Sequence, residues 1–381
     1  MNIKEIDKVA IIGGGPGGLM LGLLLQQRDI PFTIYEKGAQ NVNTDRGGSL
    51  DIHEESGQLA IHRANLTEEF KSLVRFEGED TKVVAPDGQV TYKEVVDANE
   101  EGGRPEIDRG ELCDLIMKHI DQRNIRYQYQ FERMESAADS KKIVHFTNGD
   151  SITADLVIGV DGAFSKVRPY LTSHDIEYTG ISMVELNIDR AQEDYPQLYE
   201  YNQRGKMMAL GGDRALLAQL NGDGRIKVYV SFRTDATQLD YYKSLSLAEL
   251  QDQLLNDFAD WAPELQDYIK CAGEEVYYRR IYKLPIGLTW KSDQRLTLLG
   301  DAAHLMSPFA GEGVNTALYD AFLFDQAIEH NTRIEDVIHE YEEAMYLSSS
   351  KSAQESQDNL EFMFSDHAAS KMGDFFKSDL E

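Results

Sequence analysis

The sequence predicts a two-domain α/β protein: a parallel sheet wound with helices, a second domain on a mostly antiparallel sheet, and a C-terminal helical region. Three observations carry that prediction. Residues 9–36 read as strand, glycine turn, helix and strand, the order of a βαβ unit. Residues 180–286 hold strand-like segments in series with short turns, which fits an antiparallel sheet. Residues 295–304, "RLTLLGDAAH", return to the strand-turn-helix pattern of the beginning.

In chain order, an apolar run at 9–12 meets a glycine turn, and a helical run follows over 19–27. A second strand covers 32–35 and ends at Glu36. Residues 59–74 read as helical, and 82–96 as extended around the turn "PDGQ". Asp108 is placed to cap a helix, with Glu111 three residues on. Asn148-Gly149 predicts a hairpin, and 155–160 a buried strand. Within 180–286 one helix is evident, "SLAELQDQLLNDFADW". Ile334, Val337, Ile338, Tyr341 and Met345 recur at helical spacing, a stripe that must be buried, and a second apolar cluster follows at 360–364. The expected division is 1–80, 105–178 and 285–328 for the nucleotide-binding domain, 81–104 and 179–284 for the substrate domain, and 329–381 for a helical region bridging the two.

Composition narrows the class. Of 381 residues, 41% are hydrophobic, enough for a real core. The net charge of −28 repels phosphate backbones and anionic lipid, so neither nucleic acid nor a stable membrane association is expected. Cys113 and Cys271 are far apart and in no ligand spacing, and no metal site is expected. The N-terminus carries charges where a signal peptide needs its apolar core, and no apolar stretch approaches 18 residues. The expectation is a cytoplasmic monomer.

Two glycine-rich segments carry the chemistry. Gly13, Gly15 and Gly18 form G-x-G-x-x-G, with Pro16 opening the helix. The first glycine permits the turn, the second admits a pyrophosphate, and the third lets helix pack on strand. Glu36, at the end of the second strand, is placed to accept hydrogen bonds from a ribose. With the flanking strand and helix this is a Rossmann-like dinucleotide site. In "GDAAHLMSPFAGEGVN", a strand delivers Asp301, Pro308, Gly311 and Gly313 shape a loop, and a helix starts near Val314 and Asn315. That helix head suits an electron-rich ring edge such as the N1–C2=O side of a flavin. His304 is read as satisfying a backbone group in this turn. No second G-x-G-x-x-G follows a strand elsewhere, so a nicotinamide donor would dock transiently.

"GDAAHLMSPFAGEGVN" closely resembles the second FAD fingerprint of the class A flavoprotein monooxygenases, the para-hydroxybenzoate hydroxylase family. "VIGVDGAFSKVR", with Asp161 at its centre, resembles the family's third motif. "AIIGGGPGGL", "GGSLDIHEESGQ" and "PEIDRGEL" are similar to segments of its tetracycline-inactivating members. The resemblance implies non-covalent FAD, NAD(P)H as electron donor, and O2 as co-substrate. It implies hydroxylation of an aromatic or polyketide-like small molecule through a flavin hydroperoxide, with a tetracycline as candidate. Glu36 and Lys37 would then hold the adenosine ribose side. Asp51 and Arg109 would contact FAD, Asp301 would meet its ribityl or phosphate portion, and Arg46, before Gly47-Gly48, could be a loop charge or could guide FAD or NAD(P)H. No side chain is assigned as catalytic, the oxygen chemistry belonging to the flavin.

Glu185, Lys206 and Lys227 stand on the second domain's strands, where the resemblance puts substrate contacts. They replace a glutamine, an arginine and a histidine of the tetracycline enzymes, and Glu312 replaces the family's loop glutamine. Glu185 and Lys206 could equally be an exposed pair on a sheet. Halogenases of this fold carry W-x-W-x-I-P, which Trp261 and Trp290 cannot form. A hydroxylase of another phenolic or polyketide metabolite, an isoprenoid reductase, and a non-catalytic flavin protein that sequesters its ligand stay open.

Overall fold

The computed structural model describes residues 1–40, 48–97, 102–137 and 140–378. A five-stranded parallel sheet lies at the centre of one half. Its order is Leu296–Leu298, Leu156–Gly159, Val9–Ile12, Phe32–Glu36 and Ile125–Tyr127. Val9–Ile12 is buried at every position because it is paired in parallel on both sides. The helix Pro16–Gln27 packs on it, buried from Pro16 through Leu25. Pro16 sits at its first turn, where a missing N–H costs nothing. Fully burying each such leucine contributes about 1.5–3 kcal/mol before entropy is counted.

The second half rests on a seven-stranded mixed sheet. Its order is Val276–Lys283, Glu177–Ile188, Ile226–Arg233, Arg214–Leu220, Lys206–Gly211, Thr81–Val84 and Val90–Glu94. The two faces differ in kind. Val184, Leu186, Ile188, Met207, Ala209, Val228 and Val230 point into an apolar cluster roofed by helices carrying Leu250, Phe258, Leu265 and Tyr268. The other face shows cross-strand rows. Lys227, Gln219 and Lys206 make one row, and Tyr277, Glu185, Tyr229, Leu217 and Met208 make the next. A two-stranded ribbon, Ser49–Asp51 with Glu106–Asp108, lies against this second face through Asp51 and Glu106.

The fold class is the expected one, with local differences. The helical stretch at 59–74 is two short helices, Gly57–Arg63 and Thr67–Lys71, parted at Asn65, whose φ is +60°. Asp108 does precede the helix Arg109–Met117, but its side chain does not cap it. The carboxylate instead takes Arg75 at 2.7 Å and the Gly222 amide at 3.3 Å, because a charged partner outcompetes a neutral amide. The helix at Leu247–Asp257 has a capping box between Ser246 and Glu249, and two unforeseen helices flank it, Gln238–Ser244 and Pro263–Lys270. Their apolar residues are too few to stand out from strand patterning.

One helix, Ile334–Met363, spans about 45 Å at 1.5 Å per residue. Its first part buries Ile334, Val337, Ile338, Tyr341 and Met345 in the core of the parallel-sheet half. Its last turn and the following helix Ala368–Ser378 place Leu360, Met363, Phe364 and Met372 with Val83, Met183, Leu210 and Ala215 of the mixed sheet. No helix of the described residues is long and apolar enough to cross a membrane.

Candidate active site

The glycine turn is built by exclusion. Gly13 has φ +118°, and a Cβ there would lie 2.2 Å from the Val160 carbonyl oxygen. A Cβ on Gly18 would lie 2.2 Å from the Gly13 carbonyl oxygen. A Cβ on Gly15 would meet nothing within 4 Å. Packing thus explains Gly13 and Gly18, whereas Gly15 faces open space at a helix N-terminus, as an approaching pyrophosphate requires. Glu36 holds the turn itself. Its two carboxylate oxygens accept the Gly14 amide at 2.8 Å and the Gly38 amide at 2.7 Å. Lys37 is exposed beside it. Arg46 lies outside the described residues.

The second turn offers the complementary half. Pro308 begins a 3₁₀ turn, and Gly311, at φ +69°, heads the helix Glu312–His330. No side chain caps this helix, so its first N–H groups are left for another acceptor. Asn315 clamps the turn to the ribbon. Its side-chain amide donates to the Asp51 carbonyl at 2.8 Å and the Gly311 carbonyl at 3.1 Å, and its oxygen accepts the His53 amide at 2.9 Å. Val314 stands half-buried between Gly313 and Asn315. Asp301 opens the short helix Asp301–His304 and faces Gly313, and burial pushes its carboxyl above the usual range. His304, Arg109 and Arg168 act electrostatically against that rise. A half-buried carboxylate facing a glycine at an uncapped helix head can accept hydrogen bonds from the ribityl hydroxyls of FAD.

His304 does not satisfy the backbone. Its Nε2 lies 2.7 Å from Asp320, which also accepts the Gly300 amide at 2.8 Å. Asp161 shapes the remaining turn, accepting Ser165 Oγ at 2.5 Å and the Lys166 amide at 2.7 Å. Arg109 is exposed on its helix and makes no hydrogen bond or ion pair among the described residues.

The substrate-side residues fall into two groups. Lys206 bridges Asp51 at 2.9 Å and the buried Glu106 at 3.0 Å. It does not pair with Glu185. Burial alone would raise the Asp51 carboxyl, but Lys206 and His53 outweigh it and hold it far below its ordinary value. Glu185 is 1% exposed, and it lies 2.7 Å from Lys227 and 2.5 Å from Arg279. Against burial, Arg279 and then Lys227 hold its carboxyl low. The array carries one net positive charge, on the half-exposed Arg279 side. Tyr229 stands in the same row opposite Glu185, its hydroxyl 2.9 Å from where a Cβ on Gly48 would sit. Arg279, Glu106, Tyr229 and His53 were not singled out from the sequence. His53 and Glu106 lie within the segments "GGSLDIHEESGQ" and "PEIDRGEL", Arg279 and Tyr229 in no motif, and only strand register or a long-range contact brings the four to the site.

Among known proteins, the family defined by an FAD-binding domain matches residues 7–59 and 112–356. The chain belongs to this family, the class A flavoprotein monooxygenases, and is an FAD-dependent monooxygenase. The monooxygenase penA of Penicillium thymicola is 27% identical, over 97% of this chain and 98% of its own length. Klebsiella pneumoniae HpxO, solved with FAD and uric acid, superposes with a TM-score of 0.78 at 19% identity, covering 98% of this chain and 93% of that one. The tetracycline destructase Tet(55) superposes with a TM-score of 0.71 at 19% identity, covering 92% and 89%. At such identities the two solved structures share the fold.

Proposed function

We propose that the protein is an NAD(P)H-driven monooxygenase that hydroxylates an aromatic or polyketide-like small molecule, with a tetracycline as the particular candidate. The observation that carries this reading is the sheet face opposite the second glycine turn. Met208, Leu217 and Tyr229 are partly buried there, Phe309 packs beside them against the buried Phe364, and the Glu185–Lys227–Arg279 array shares the face. Apolar walls with a few convergent polar groups suit a flat, ionisable substrate. Bound FAD, reduced by NAD(P)H, supplies the activation of O2.

The protein's part is binding, orientation and exclusion of water. Gly15 and the uncapped head of Glu312–His330 would hold the cofactor's phosphates and ring edge, and Asp301 its ribityl portion. Arg279 would meet an enolate or carboxylate by charge-assisted hydrogen bonds. The Phe309–Phe364 contact, 5.4 Å between centroids, would keep water out. The motif likeness to the tetracycline-inactivating enzymes supports the particular substrate. The test is a panel of anhydrotetracycline, several tetracyclines and simple phenols, each with NADPH and O2, read by product mass. One added oxygen on a tetracycline supports the full proposal. Oxygenated phenols alone leave the hydroxylase and remove the tetracycline. Ligand binding without NADPH consumption would indicate sequestration instead.

A further inference from the structure

His53 is 0% exposed and lies between two carboxylates. Its Nε2 is 3.4 Å from Asp51 Oδ2, and its Nδ1 is 3.3 Å from Glu312 Oε1. Neither ring nitrogen has an aligned hydrogen bond, so the hold is electrostatic. The residue links three parts. Asp51 continues to Lys206 on the mixed sheet, Glu312 heads the helix behind Gly311, and Glu312 Oε2 accepts Ser352 Oγ of the long C-terminal helix at 3.3 Å. Glu312 brings a negative charge to the helix head that would face the cofactor's ring edge. A charge there needs a fixed counter-charge, or it repels an electron-rich ligand.

We propose that His53 is a positioning residue for the cofactor-facing turn: its imidazolium neutralises the Glu312 carboxylate and holds residues 311–313 where FAD needs them. This rests on the flavoenzyme reading above. His53 and Glu312 therefore act as one unit, and losing either charge alone is worse than losing both. The charged state follows from the surroundings. Burial disfavours the imidazolium, but Asp51 and Glu312 outweigh burial and push the pKa up to about 9. Arg104 opposes this at longer range, and Glu55 also faces the ring. A raised histidine pKa makes the stabilisation complete below the ordinary 6.5 and lost as pH rises through about 9.

The experiment follows FAD release from the holoenzyme by the recovery of free-flavin fluorescence, between pH 6.5 and 10. Wild type, H53Q, E312Q and H53Q/E312Q are compared, with thermal unfolding measured alongside. H53Q should hold FAD about tenfold or more less tightly at pH 7, the scale of one charge-assisted contact. Adding E312Q should recover most of that loss. Wild-type retention should weaken as pH passes about 9, and the double variant's profile should be flat there. A double variant no better than H53Q, or a flat wild-type profile, overturns the proposal. A His53 that merely fills space would give that uncoupled result, with lowered unfolding temperatures in both variants. Wild-type protein that retains no FAD at all would overturn the flavoenzyme reading and this proposal with it.

Discussion

The Lys206 ammonium lies 2.9 Å from the Asp51 carboxylate, joining the mixed sheet directly to the ribbon beside the second glycine turn. Glu106, from the neighbouring ribbon strand, completes the contact at 3.0 Å. The two halves of the molecule therefore meet through charge at the centre of the site, and through apolar packing along the C-terminal helix.

Replacing Lys206 by methionine should destabilise the protein more than it alters substrate affinity. It leaves Asp51 and Glu106 facing each other, and the loss should be roughly 1.5–3 kcal/mol, because Lys206 keeps partial contact with solvent. Asp51's lowered pKa makes its contribution complete above its unfolded value and lost as pH falls through the folded one. The stability deficit of K206M should accordingly be full at pH 7 and shrink as pH falls and Asp51 takes up its proton. Urea unfolding at pH 7 and an acid titration by circular dichroism measure both.

Asp301→Asn should separate cofactor binding from folding. A carboxyl raised by burial costs stability wherever it is ionised, so the apo form of D301N should melt at the same temperature or higher. FAD affinity should fall about 10- to 150-fold, the cost of one charge-assisted hydrogen bond. Titration calorimetry on apo protein checks this. Unchanged affinity would remove Asp301 from the cofactor site.

Lys227 and Arg279 should part company. Lys227→Met leaves the buried Glu185 carboxylate with only Arg279, and stability should drop by roughly 1.5–3 kcal/mol, the scale of one lost charge-assisted contact. Arg279→Met leaves the Lys227–Glu185 pair intact and removes the half-exposed guanidinium. Its effect should appear as a KM raised about tenfold or more for an anionic substrate, with little change for a neutral one.

Phe364→Ala should loosen the site without unfolding it. The ring stacks edge-on against Phe309 and packs on the mixed sheet beside Met363. Coupling should fall, seen as more hydrogen peroxide per NADPH consumed, because water gains entry. Removing everything after Ser348 is a harsher change. It uncovers Met183, Leu210 and Ala215, and reduced solubility is expected alongside the leak.

The two glycine turns are legible in the sequence because their requirements are local. Gly13, Gly15 and Gly18 lie within one turn, and Asp301 and residues 311–315 within another, so spacing alone carries the geometry. The apolar stripe from Ile334 to Met345 was legible for the same reason, since helical periodicity is a local property. Tertiary structure alone decided which charges meet. Lys206 and Asp51 are far apart in sequence, as are His53 and Glu312, and Arg279 and Glu185. No spacing rule relates the members of each pair, even where the resemblance already marks one of them, such as Asp51, Lys206 or Glu185, as a site residue. Their pairing follows from the register of the mixed sheet, which places Glu185 opposite Tyr229 and Tyr277, and from Asn315 tying the ribbon to the helix head. Once buried together, such charges must find partners, because an ion without one costs far more than a paired one.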